Sequence, residues 1–138
     1  MADLWETIRQ VAAAHVPEIE RLEEAVRGDR SEVGEVSADE LADRVRRGRA
    51  VVIDVRPTLE YVVGHIPGAR SVPAEILEAS LDALPRSREI LVYCRGSHCG
   101  YADEAVRILQ GHGFRARRLD TGFYEWARAG RPVRRPAD

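Results

Sequence analysis

Leu4, Ile8, Val11, His15, Ile19, Leu22 and Val26 recur at spacings of three and four, which places them on one face of a helix over residues 3–27. Pro17 is expected to bend this helix or to open its second half, because proline fits a first helical turn and not an interior one. Gly28 and the polar run through Glu32 end it. The apolar stripe needs cover from its own domain, a twin subunit or a neighbour.

From Gly34 onward the pattern alternates between strand and helix. Val36 starts a short strand, and Ser37 caps a helix through Arg47, with Glu40 at capping-box spacing. Residues 50–55 are almost all apolar and β-branched, the signature of a strand covered on both faces. Pro67-Gly68 turns the chain into a short strand at residues 70–72, and residues 74–84 read as one or two short helices. A second buried strand follows at residues 89–94. Residues 101–110 then form a helix with Ala102, Ala105, Val106 and Leu109 on one face, stopped by Gly111 and Gly113. A last strand (114–119) and helix (123–129) complete the series. Strands joined by helical crossovers predict an α/β domain over residues 34–138: a mainly parallel five-stranded sheet flanked by helices, with residues 1–33 as an N-terminal helical extension.

Length and composition change this picture little. The 138 residues, 44% hydrophobic and 32% charged, suit one globular domain of ordinary composition. No apolar run is long enough to cross a bilayer, and the N-terminus lacks the basic start of a signal peptide. No membrane association is expected, and the cytoplasm is the expected location. All 21 basic residues are arginine, so lysine Schiff-base chemistry is excluded. Net charge is −2, giving no overall pull toward nucleic acid. The charge is uneven: residues 1–40 hold 11 acids and 4 arginines, residues 112–138 hold 7 arginines and 3 acids. Solvated faces or a docking surface for an acidic partner both explain that.

The candidate chemistry lies in Cys94-Arg95-Gly96-Ser97-His98-Cys99-Gly100. Two cysteines are too few for a disulfide scaffold, and their spacing within one short segment reads as a site rather than a staple. Cys94 falls where a buried strand turns toward a helix, and sites in open α/β sheets gather at strand carboxyl ends. Converging N–H groups and a helix N-terminus stabilise an anion there. A thiolate in that setting has a pKa lowered into the range of about 3.5–7.5, and Arg95 adds positive charge. The alternative is that Cys94 is only a small buried apolar residue. Cys94, His98 and Cys99 lack the paired spacings of zinc sites, so no metal or other cofactor is expected.

Three segments together resemble the rhodanese family and span residues 34–134. The stretch from Asp54-Val55-Arg56 through Glu60-Tyr61 to Gly64-His65-Ile66-Pro67-Gly68-Ala69 is similar to the family's D-V-R … E-[FY] … G-H-I-P-G-A. The Cys94 loop is the second segment. Leu119-Asp120-Thr121-Gly122-Phe123-Tyr124-Glu125-Trp126 is similar to its closing G-G-[FW]-x-x-W. The resemblance implies a sulfurtransferase: Cys94 as nucleophile and persulfide carrier, and the backbone N–H groups from Arg95 through Gly100 as the anion cradle. It implies a small sulfur donor, thiosulfate or a persulfide, and a thiol or cyanide acceptor. Asp54 and Arg56 would brace the loop, with Glu60 engaging Arg56 or another arginine. His65, Phe123 and Trp126 would pack. On charge alone, and apart from the resemblance, Arg117 and Arg118 are candidates to draw anionic donors.

The loop of six residues, Cys94 to Cys99, matches sulfur-transferring members. A phosphatase branch has Cys-x5-Arg, and Gly100 stands where that arginine would fall, so ester hydrolysis loses its charge clamp. The loop also departs from the family, with Gly96 third, Ser97 fourth and Cys99 sixth. Cys99 either resolves or receives sulfur from Cys94, or fills space at the helix start. His98 either tunes Cys94 or lies exposed. A second resemblance, to the rhodanese half of bacterial ArsR-type regulators, implies a persulfide-sensing or interaction module without significant turnover. With no recognition helix of basic face, this chain alone is not expected to bind nucleic acid; the N-terminal helix would serve either as a homodimer contact or as a cover packed across the α/β core.

Overall fold

The computed structural model describes residues 34–136. The helix expected over residues 3–27, its bend at Pro17 and its dimer contact lie outside the described residues. From Gly34 the elements run β1 (Glu35–Val36), α1 (Ala38–Arg46), β2 (Ala50–Asp54), α2 (Thr58–Val63), β3 (Arg70–Ser71), two 3-10 helices (Ala74–Ile76 and Glu78–Ala83), β4 (Glu89–Tyr93), α3 (Gly100–Gly111), β5 (Ala116–Leu119) and α4 (Phe123–Arg128). The five strands form one sheet in the order β1-β5-β4-β2-β3, and every pairing is parallel.

Each element expected from Gly34 onward is present, with most ends displaced by a residue or two. The strand expected from Phe114 begins only at Ala116, because the Phe114 N–H bonds back to Leu109 and closes the turn after α3. Ser37 caps α1 through its hydroxyl, which accepts the Glu40 N–H at 3.1 Å. The other half of a capping box is not made: the Glu40 carboxylate turns instead to Arg44 and Arg117. Gly113, at φ 86°, supplies the left-handed turn beyond α3.

β2 and β4 are buried along almost their whole length, and their alternation divides the core into two layers. Val51, Ile53, Ile90, Val92 and Cys94 face α3 and the 3-10 segment, meeting Leu77, Leu81, Ala102, Val106 and Leu109. Val52, Leu91 and Tyr93 face the other way, toward Leu41 of α1, Ile66 and Trp126 of α4. This two-sided cover is why both strands read as continuous apolar runs. It also sends adjacent residues Tyr93 and Cys94 into different layers.

Candidate active site

The register pairs Asp54 with Tyr93 at the carboxyl ends of β2 and β4. On the α4 side of the sheet these ends carry a buried polar network. Asp54 Oδ1 and Oδ2 take Arg56 Nε at 3.0 and 3.1 Å, and Oδ2 takes Arg56 Nη2 at 2.7 Å. Arg56 also donates to the Gly64 carbonyl at 2.6 Å and lies over the Phe123 ring, 4.1 Å from its centroid. The Tyr93 hydroxyl donates to Asp54 Oδ2 at 2.6 Å and accepts the Ile66 N–H at 3.1 Å. Burial, then the Asp54 charge, push the Tyr93 phenol well above its ordinary value. Asp54 and Arg56 thus brace the strand ends beside the loop. His65 packs as expected: it stacks on Tyr61, with Nδ1 2.8 Å from the Tyr61 carbonyl oxygen.

The loop from Cys94 to Cys99 is held from three directions. α4 supplies its first N–H groups, Phe123 to the Cys94 carbonyl and Tyr124 to the Arg95 carbonyl, both at 2.9 Å. Arg118, wholly buried, reaches the Cys99 carbonyl at 3.2 Å and the Gly96 carbonyl at 3.4 Å while pairing with Asp103 Oδ1 at 3.1 Å. Glu60 of α2 takes Arg95 Nε at 2.7 Å, drawing that guanidinium to the loop's outer rim. The carbonyls of Cys94, Arg95, Gly96 and Cys99 therefore all point into the protein. Peptide planarity turns the N–H groups of Arg95, Gly96 and Gly100 the opposite way.

Several expectations need correction. The Ser97 N–H donates to Glu125 at 3.1 Å and the Cys99 N–H to the Gly96 carbonyl at 3.2 Å, so these two are spent inside the loop's own scaffold and are not part of an anion cradle. Arg117 and Arg118 do not draw anionic donors. Arg117 is locked to Glu89 at 2.8 Å and to Glu40 at 3.3 Å, and Arg118 is a buried brace. Both lie on β5, whose alternation sends one side chain to the rim and the other under the loop. Glu60 pairs with Arg95, the second of the two expected arrangements, and Asp54 is the carboxylate that pairs with Arg56.

Glu125 and Gly122 were missed as site residues, although they lie inside the closing motif. Glu125 accepts from Ser97 and from Gly122 N–H at 3.1 Å each. A Cβ on Gly122 would fall 2.3 Å from Gly96 Cα, so the loop rests directly on this backbone.

Cys94 is 1% exposed and packs among Val55, Ala102 and the α3 core. Cys99 is the N-cap of α3. The two are joined as a disulfide with Cα atoms 6.0 Å apart, a separation ordinary for such a bond. His98 is exposed. Among the described residues no helix is long and apolar enough to cross a membrane.

A parallel sheet whose central strand delivers a cysteine into a backbone-lined loop defines a class, and comparison with known proteins names it. Residues 37–129 match the rhodanese-like domain, and the chain belongs to that family. It is 38% identical over 133 residues to an HTH-type transcriptional regulator of Mycobacterium tuberculosis, covering 96% of this chain and 58% of the regulator. It is 30% identical to a sulfurtransferase of Allochromatium vinosum, over 75% of this chain and 97% of that protein. Among solved structures, a Bacillus halodurans protein superimposes with a TM-score of 0.70 at 29% identity, covering 82% of this chain and 85% of its own. A thiosulfate sulfurtransferase of Pseudomonas aeruginosa gives 0.69 at 25% identity, covering 86% of this chain and 23% of its own.

Proposed function

We propose that the chain is a sulfurtransferase that carries sulfane sulfur on Cys94. The observation behind this reading is the placement of Cys94 at the end of β4, in a loop whose Cys94, Arg95, Gly96 and Cys99 carbonyls are turned inward. In the proposed cycle the Cys94 thiolate attacks the outer sulfur of thiosulfate and sulfite leaves. An acceptor nucleophile such as cyanide or a thiolate then takes that sulfur, and the Cys94 thiolate returns. The N–H groups of Arg95, Gly96 and Gly100 face the persulfide anion. Kinship with the Allochromatium sulfurtransferase supports the same reading.

The Cys94–Cys99 disulfide favours a second role: persulfide or redox sensing without significant turnover. Kinship with a transcriptional regulator fits this role. One assay separates the two. Thiosulfate-to-cyanide transfer is measured with and without prior reduction in wild type, Cys94→Ser and Cys99→Ser. The transferase reading expects Cys94→Ser to lose turnover by at least about a thousandfold, as loss of a covalent nucleophile does. It expects Cys99→Ser to turn over without prior reduction, while oxidised wild type needs it. Reduced wild type without turnover, yet forming a Cys94–Cys99 di- or trisulfide with polysulfide, would leave sensing alone.

A further inference from the structure

The disulfide is unevenly accessible. Cys94 is 1% exposed, whereas Cys99 is partly exposed and lines an open hollow of 420 Å³ with Gly100, Tyr101 and Glu104. An external thiolate therefore meets the Cys99 sulfur, with Cys94 as leaving group. Which sulfur is attacked depends on access and on the leaving thiol, and the Cys94 thiolate departs into a loop suited to an anion.

Tyr101 and Glu104 also border an adjoining groove of 230 Å³ along α3. Leu77, Ala105 and Ile108 form its apolar floor, and Glu75, Glu78 and Glu104 stand exposed at its edges. Among the described residues, no arginine lines the groove or the hollow. Residues 34–136 as a whole hold 17 arginines and 14 acidic residues, so this negative mouth lies on a domain of the opposite balance. Acidic thiols are repelled there and basic ones are steered in.

We propose that this groove docks a basic, thiol-bearing protein segment that reduces the Cys94–Cys99 bond by attack on Cys99. The proposal rests on reading the two cysteines as a redox couple. The partner's thiolate attacks the Cys99 sulfur, forming a mixed disulfide as the Cys99–Cys94 bond breaks and the electron pair leaves on Cys94. A second partner thiolate then attacks the partner sulfur of that mixed disulfide. Its own disulfide forms, the Cys99 thiolate leaves and takes a proton, and two electrons have passed from the partner dithiol to this chain.

The test uses the oxidised full chain and two synthetic dithiol peptides of equal length, one flanked by arginines and one by glutamates. Rates of thiol release are divided by the rate with dithiothreitol on the same protein. The basic peptide is expected to be faster by about tenfold at low salt. That advantage should fall to about twofold or less in the Glu75→Gln, Glu78→Gln, Glu104→Gln triple variant and in about 0.5 M salt. A single-thiol basic peptide should be trapped on Cys99 in peptide mapping. An undiminished advantage in the triple variant, equal peptide rates in wild type, or trapping on Cys94 each overturns the proposal. Absence of a Cys94–Cys99 bond in the mapped, air-oxidised chain overturns the redox couple itself and the proposal with it. A bond present without charge preference refutes only the docking.

Discussion

At the scale of single residues, the loop depends on what Gly122 lacks. Its Cα lies against the Gly96 backbone, and an added Cβ would sit 2.3 Å from Gly96 Cα and 2.7 Å from the Arg95 carbonyl carbon. Both neighbours are main chain, so neither rotates away and the loop itself has to move. Gly122→Ala is expected to cost about 1–3 kcal/mol in urea unfolding. Because small displacements at a reacting centre are costly, it should also lower thiosulfate-to-cyanide turnover by about a hundredfold. The closing motif pointed to Gly122 as part of a pattern but not as the seat of the loop. That contact joins residues 26 positions apart, and spacing along the chain carries no signal for it.

Between elements, Arg118 ties β5 to α3 and to the loop. Its guanidinium is fully buried, pairs with Asp103 and takes the carbonyls of Gly96, Cys99 and Thr121. Arg118→Met removes one partner of a buried pair and strands those acceptors, at an expected cost of about 3–5 kcal/mol. Calorimetry or urea unfolding measures it, and a loss under about 1 kcal/mol would contradict the bracing role. The elements themselves were largely legible, since β2 and β4 are apolar on both faces and α3 has a clear stripe. The roles of Arg117 and Arg118 were not. Two adjacent arginines look alike in sequence, and only strand alternation within this sheet puts one at the rim with Glu89 and the other beneath the active loop.

Across the whole molecule, the sheet separates a bracing layer from a reactive one. Tyr93 serves the first and Cys94 the second, one residue apart. Since burial and Asp54 hold the Tyr93 phenol neutral, its folded pKa lies above the unfolded one. Its share of stability is therefore complete below the ordinary value of 10.0 and is lost as pH rises beyond it, because the unfolded chain ionises first. Unfolding free energy followed from pH 8 to about 11.5 should decline above pH 10, and more steeply in wild type than in Tyr93→Phe. That variant should already be less stable at pH 8 by about 1–3 kcal/mol, having left Asp54 and the Ile66 N–H short of a partner. The order of strands and helices, the placement of Cys94 at the end of β4 and the closeness of Cys99 were all determined by local sequence, through periodicity, turn residues and spacing. The rest was decided in three dimensions: the pairing of Arg95 with Glu60, the burial of Arg118, the Glu125 clamp on Ser97 and the opening of Cys99 onto a hollow beside an acidic groove. Charge and hydrogen-bonding partners there come from chain segments brought together by the sheet, and a linear pattern records which groups exist but not which ones meet.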